Sequence, residues 1–270
     1  MTLHFHKMNG AGNDFVVIDN RSLDINLSRD QIAHLCDRQR GIGADGLLAV
    51  EPAEKGADYK FRYYNADGGE AEMCGNGARC FGKYTAQLTD EHGPEVSFET
   101  IAGTLSADLI GDHVRIAMSD PFDLALNTGI HVEGLTDAVH AINTGVPHAV
   151  VFVNDLKNFD VVQYGAALRY HDHFAPKGTN VNFAQVIDTN HIAIRTYERG
   201  VEGETLACGT GMVACALIHN LLTQAASPVL VDVQGGDTLE IGFDNYESDS
   251  FCDVTLTGPA DFVFEGDITL

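Results

Sequence analysis

Positive charge is what this sequence has least of. Sixteen lysines and arginines, six of them lysine, face 39 aspartates and glutamates, for a formal net charge of −23 over 270 residues. A field of that sign repels polyphosphates and argues against nucleic acid as a partner. The acidic residues are spread along the chain rather than blocked into a tail, so they read as a solvated surface, one that suits a salty cytoplasm. Against that background Arg199 and the N-termini of helices become the places to look for an anionic ligand. Long apolar runs are missing as well. The opening MTLHFHKMNGAGND has no stretch of signal-peptide length, and no segment suffices to cross a bilayer, so the expectation is a cytoplasmic protein with no membrane partner. Short-spaced cysteine pairs are the third absence. The six cysteines stand at 36, 74, 80, 208, 215 and 252, none in a CxxC pair, and the Cys–His spacings fit no zinc ribbon or finger. Neither a disulfide framework nor a metal site is expected.

What is present is a globular composition, 44% hydrophobic and 20% charged, long enough for one large domain or two ordinary ones. Internal repetition decides between them. FRYYNADGGEAEMCGNGARCFGKY (61–84) lies over IRTYERGVEGETLACGTGMVACAL (194–217), with one extra residue before the second cysteine. Each copy is an alternating strand, an acidic turn containing Gly, then Cys-Gly-x-Gly and a helix. A β-rich stretch with a Gly turn and a leucine follows each helix, SFETIAGTLSADL in the first copy and VDVQGGDTLEIGF in the second. GNDFVVID near the start is echoed by PHAVVFV after the middle. The expectation is two homologous halves: residues 1–120 with Cys74, completed by a last strand at about 260–270, and residues 121–259 with Cys208. The break is placed at Ser119-Asp120-Pro121, where proline interrupts helix and ladder alike.

Strand signals dominate both halves. A helix from Ser28 to Arg38 is announced by a capping box, Ser28 with Gln31, and a second surface helix is expected over 160–171. MVACALIHNLL (212–222) is apolar on nearly every side, which marks a buried helix. A buried helix in a strand-rich half implies strands wrapped around it. The fold class read from these patterns is α+β: two domains, each a barrel-like sheet around a central helix, with the active site in the cleft between them.

Cys74 and Cys208 each open a helix. Unsatisfied N–H groups of a first turn favour negative charge, which stabilises a thiolate and provides a seat for a carboxylate. Glycines at the first and third positions after each cysteine remove Cβ atoms that would hold a ligand off the backbone. Two such helix starts can hold one carboxylate with a thiol on either side of its α-carbon, one removing a proton and the other delivering one. Cys36, Cys80, Cys215 and Cys252 read instead as small buried hydrophobes. The residues by themselves leave three classes open: an epimerase, a thiol redox protein and an anion-binding module.

The motifs KMNGAGNDF, GIGADGLL, YYNADGGEAEMCGNGARC, GTNVNF and YERGVEGETLACGTG resemble those of the diaminopimelate epimerase family along the full chain. The resemblance implies a cofactor-independent epimerase, with no pyridoxal phosphate, that interconverts LL- and meso-diaminopimelate in lysine and peptidoglycan precursor synthesis. It implies Cys74 and Cys208 as the acid–base pair, with the backbone of Gly75, Asn76, Gly209 and Thr210 holding the reacting carboxylate. Asn13, Asn65 and Asn180 match the family's substrate-binding asparagines, and Glu198 and Arg199 match its Glu-Arg pair, Arg199 facing the distal carboxylate. His148 and Glu198 match positions that tune the cysteines, although a hydrogen-bonded interior role for His148 stays open. Asp14 and Asp67, beside binding asparagines, read as turn formers. The implied partners are a dicarboxylic diamino acid and a second copy of the chain in a homodimer. Two departures stand out: many members carry Gln at the place of Gly46 and Asn at the place of Val146. They leave room for an epimerase acting on another amino acid.

Overall fold

The computed structural model describes residues 1–71, 73–88, 95–247 and 249–270, without the side chains of residues 246 and 247. The chain divides into two α+β units, Met1–Ile116 with Gly258–Leu270, and Ala117–Thr257.

The first unit is built on β1 (Thr2–Gly10), β2 (Asn13–Asp19), β3 (Gly46–Pro52), β4 (Tyr59–Asn65), β5 (Glu70–Ala71), β6 (Glu95–Thr100), β7 (Gly103–Ile110), β8 (His113–Ala117) and the returning β18 (Asp261–Thr269). Its strands neighbour one another in the order β18-β1-β2-β3-β4-β6-β7-β8, with the short β5 hung on β4. β2 runs parallel to β3 and β4 to β6; the other neighbours are antiparallel. Parallel pairing requires crossovers, and these carry α1 (Arg29–Cys36) and α2 (Gly75–Thr85). The sequence reflects the two environments. β1 alternates at its start, with Leu3 and Phe5 buried and His4 outward, whereas the parallel β2 is buried continuously from Phe15 to Ile18. α1 begins with the predicted capping box, Ser28 Oγ accepting from Gln31 N while Gln31 Oε1 accepts from Ser28 N.

The second unit repeats this plan with β9 (Phe122–Ala125), β10 (Val139–Asn143), β11 (Pro147–Phe152), β12 (Asn180–Asp188), β13 (His191–Glu198), β14 (Gly203–Thr205), β15 (Val229–Asp232), β16 (Thr238–Glu247) and β17 (Ser250–Pro259). The order from β9 to β13 is sequential, β14 hangs on β13, and β15 and β16 continue the sheet to β17. The parallel pairs are β11 with β12 and β13 with β15, matching β2 with β3 and β4 with β6. Their crossovers hold α3 (Val161–Arg169) and α4 (Gly209–Thr223).

The duplication extends to the packing. α2 touches β1, β2, β3, β4, β6 and β7, and α4 touches β10, β11, β12, β13, β15 and β16, the same six strands in each copy. Register matches too: Tyr64 faces Glu70 as Tyr197 faces Glu204, and Phe15 faces Gly46 as His148 faces Asn180. Apolar patterning marks only α4 as buried, yet α2 is nearly as enclosed, from Asn76 through Gly82. The difference is Arg79. Its polarity hides the burial in the sequence, but its guanidinium is fully covered and donates to Asn76 Oδ1 and to Pro259 O. Among the described residues no helix is long and apolar enough to cross a membrane.

Candidate active site

Both motif cysteines are N-cap residues in extended conformation, Cys74 (φ −140°, ψ 120°) before α2 and Cys208 (φ −131°, ψ 109°) before α4. Neither side chain caps its own helix. The first intrahelical bonds run from Ala78 N to Cys74 O and from Met212 N to Cys208 O, so the N–H groups of residues 75–77 and 209–211 precede the ladder. Gly75 and Gly209 are thus the first helical residues, as the motif implied. The second glycines have a different reason. A Cβ on Gly77 would press on Leu48 and Phe15, and one on Gly211 would overlap Asn182 Oδ1. They allow helix and strand to approach closely, rather than admitting a ligand.

In the first unit Asn13, Cys74 and Asn76 come together. Cys74 Sγ lies 3.6 Å from Asn13 Oδ1, and Asn76 Nδ2 reaches the same oxygen at 3.5 Å. Asn13 Nδ2 donates to Asp45 Oδ2 at 2.5 Å, and Arg79 Nη2 donates to Asn76 Oδ1 at 3.0 Å. Asn65 is exposed at the end of β4, where its backbone closes the turn to Gly69. Asp67 is a turn former, accepting from Gly69 N at 2.8 Å. Asp14 is not. It pairs with Lys7 Nζ at 2.7 Å and with Arg38 through both carboxylate oxygens, because the buried Lys7 needs a counter-charge. Burial alone would raise the pKa of Asp14, but the two cations hold its carboxyl well below the ordinary carboxylate range.

In the second unit β11, β12 and β13 place His148, Asn180 and Glu198 on neighbouring strands. His148 faces Asn180, and the register that pairs Val181 with Tyr197 sets Glu198 beside Asn180. Asn180 Oδ1 accepts from Arg199 N at 2.8 Å, and Arg199 Nη1 reaches Gly178 O at 3.5 Å. Cys208 Sγ is 3.6 Å from Thr210 Oγ1, and Thr210 O accepts from Thr144 Oγ1 at 2.9 Å. His148 is buried, which lowers its pKa to about 3, with the charge of Arg199 adding to the effect. Asn182 Oδ1 accepts from Thr196 Oγ1, so its Nδ2 donates to His148 Nδ1 at 2.9 Å. That bond fixes a neutral imidazole with its proton on Nε2. Burial raises the pKa of Glu198, opposed by the Thr205 hydroxyl.

The other four cysteines are poor nucleophiles. Burial pushes Cys36 up to about 11 and Cys80 to about 12, and it raises Cys215 and Cys252 as well. Among the described residues, one group has metal-ligand chemistry: His4, His6 and Glu265, with ligand atoms within 4.8 Å of one another. It lies on the β1–β18 pair, and its members are accounted for as cross-strand pairs, His4 with Asp267 at 3.0 Å and His6 with Glu265 at 2.9 Å. Sequence reasoning missed Asp45, Arg79, Thr144 and Asn182. The signal for Asn182 was legible, since N-x-N on a strand puts both amides on one face.

The sequence model of the family described as diaminopimelate epimerase matches residues 5–122 and 140–263. The chain belongs to the diaminopimelate epimerase family. It is therefore placed among the isomerases. It is 42% identical to the diaminopimelate epimerase of Chlorobaculum tepidum, covering 97% of this chain and 100% of that one. Identity to the enzyme of that name from Archaeoglobus fulgidus is 43%, over 100% and 98% of the two chains. Among solved structures, a phenazine biosynthesis protein of the PhzF family from Bacillus anthracis superposes over 100% of both chains with a TM-score of 0.74 at 16% identity. A hydroxyproline epimerase from Agrobacterium vitis, with trans-4-hydroxy-L-proline bound, covers 99% of this chain and 91% of its own at a TM-score of 0.70 and 18% identity. These distant likenesses extend the fold of the diaminopimelate epimerase family beyond that family.

Proposed function

We propose that this chain interconverts LL- and meso-diaminopimelate by two-base proton transfer, without pyridoxal phosphate, in the supply of lysine and peptidoglycan precursors. The observation that carries the reading is the duplicated cysteine N-cap: one sulfur per unit, at the start of the central helix, engaged in no capping bond. In the forward step the thiolate of one cysteine takes the α-proton, and the C–H electron pair passes to the carbon and its carboxylate. The thiol of the other cysteine delivers its proton to the opposite face. Thiolate and thiol have then exchanged places, and the reverse reaction starts from that state. The N–H groups of Gly75, Asn76, Gly209 and Thr210 hold the reacting carboxylate, where helix ends stabilise the charge that develops on it.

Arg199 takes the distal carboxylate through its planar fork, and Asn13, Asn65, Asn180 and Glu198 bind the remaining polar groups. Burial keeps His148 neutral and raises the pKa of Glu198, and the two tune the cysteines. The reading also includes a homodimer, by likeness to the family.

The test is an assay of the reduced protein with LL- and meso-diaminopimelate, alongside Cys74→Ala and Cys208→Ala. Interconversion by the parent chain and none by either variant is expected. Full activity in either variant removes the two-base mechanism. The absence of Gln at Gly46 and of Asn at Val146 favours one second reading, an epimerase for another amino acid. Turnover of a monocarboxylic amino acid in preference to diaminopimelate would select it.

A further inference from the structure

The two amides beside Cys74 stand in a row with a charge at each end. An aspartate carboxylate only accepts hydrogen bonds, so Asn13 must turn its NH2 group to Asp45, at 2.5 Å. Its carbonyl oxygen is thereby turned to the other side, toward Cys74 Sγ at 3.6 Å and Asn76 Nδ2 at 3.5 Å. A guanidinium only donates, so Asn76 must give its carbonyl to Arg79, at 3.0 Å, and its NH2 to Asn13. Neither amide can be reversed without setting like against like at a charged end. We propose that Asp45 and Arg79 are positioning residues, which fix the Asn13 and Asn76 amides so that a carbonyl oxygen, and not an NH2 group, faces Cys74.

Both ends are anchored. Asp45 Oδ1 accepts from Arg38 Nη2 at 2.8 Å, its Oδ2 also accepts from Asp14 N at 3.2 Å, and Asp14 is itself held by Lys7 and Arg38. Arg79 is fully buried, with its Nε on Pro259 O at 3.2 Å. The row is not a by-product of the duplication. By register and motif position, the second unit has Val146 in place of Asn13, Thr210 in place of Asn76 and Val213 in place of Arg79. In this chain the charged ends and oriented amides stand in one copy only. A carbonyl facing a sulfur stabilises the S–H form, whereas an NH2 group would stabilise the thiolate. Asp45 and Arg79 therefore act on the proton of Cys74 through the two asparagines.

The inference rests on the two-thiol reading for its consequence in turnover, but not for its consequence in thiol acidity. The test pairs Asp45→Asn with Asp45→Leu. The first substitution removes the charge but keeps an oxygen toward the two donors, Asn13 Nδ2 and Asp14 N. The second removes both. Alkylation of Cys74 by iodoacetamide, followed by peptide mass spectrometry across pH, reads the acidity of that thiol in the intact chain. Asp45→Leu is expected to move the midpoint down by about one pH unit and to lower kcat/KM for diaminopimelate about 30-fold. Asp45→Asn should keep the midpoint and stay within about threefold of the parent. At the other end Arg79→Met frees the Asn76 amide while Asp45 still holds Asn13, so it should shift the midpoint less than Asp45→Leu does, and Arg79→Lys, which retains a donor, should leave it unmoved. Equal shifts in Asp45→Asn and Asp45→Leu would reduce the effect to charge and overturn the proposal, as would an unmoved midpoint in Asp45→Leu. If the parent chain fails to epimerise diaminopimelate, the function reading falls while the alkylation profiles still decide this one.

Discussion

Arg195 grips Glu204 through two parallel bonds, Nε to Oε1 at 2.6 Å and Nη2 to Oε2 at 2.7 Å. Arg62 and Glu70 occupy the corresponding places in the other unit, joined at 2.5 Å. In both units the pair ties the long strand before the cysteine to the short strand that leads into it, so the ion pair is part of how each N-cap is presented. Both arginines reach further, Arg195 Nη1 to Leu156 O and Phe159 O and Arg62 to Glu51 and the Tyr64 hydroxyl, but Arg195 and Glu204 are the less exposed pair. Arg195→Met should therefore cost about 2–3 kcal/mol of stability, and Arg62→Met about 1 kcal/mol. Denaturant unfolding of the two variants checks the ranking, and equal losses would refute it.

Much of the fold was legible because the duplication is written in residue types with strong local meaning. Cys-Gly-x-Gly, the apolar run at 212–222 and the Ser28–Gln31 box each specify an element by short-range physics. Arg79 shows where that fails. Its burial depends on a carbonyl 180 residues away, at Pro259, which no local pattern announces. Asp14 was misread for a related reason, since the lysine and arginine that claim it arrive from β1 and from beyond α1. In the site, the cysteines and Asn180 announce themselves by motif. Asp45 touches Asn13 across 32 residues of sequence, and such a contact becomes visible only when distances are known.

Arg199 has its backbone N–H pinned by Asn180, which sets the direction in which its side chain leaves the strand. If it holds a distal carboxylate, Arg199→Lys should raise KM for diaminopimelate about tenfold or more, because a point charge cannot reproduce a two-point fork. The value of kcat should change less. Steady-state kinetics in both reaction directions measure this, and an unchanged KM would make Arg199 structural.

Gly46 stands where the family resemblance leads one to expect glutamine. A Cβ there would stand 2.5 Å from Tyr64 O and 2.7 Å from the Tyr63 ring. The clash is with backbone on an adjacent strand, so relief requires the β3–β4 ladder to move. Gly46→Ala and Gly46→Gln are accordingly expected to destabilise by about 1–3 kcal/mol each, and Gly46→Gln should not improve turnover. Thermal unfolding with activity measured below the transition tests both halves of the statement. A Gly46→Gln variant more stable than the parent would show that the strand accommodates the side chain after all.

His148 gives the chain a pH dependence with a definite sign. Its folded pKa, lowered to about 3 by burial and by Arg199, lies well below the value near 6.5 that the unfolded chain restores. Between those values the unfolded state binds a proton that the folded state refuses. Stability attributable to this histidine is complete above about pH 6.5 and is lost progressively as pH falls toward 3. At full difference the loss is one proton's worth, about 1.4 kcal/mol per pH unit. His140 is also buried with a lowered pKa, so the parent chain alone cannot isolate the effect. His148→Gln can, since it removes one titrating group and leaves His140 in place. Unfolding free energies of the two chains should converge as pH falls from about 6.5 to about 4.5, with the parent losing stability faster. Parallel curves would mean that His148 takes up its proton in the folded chain, and that the neutral imidazole assigned to it is wrong.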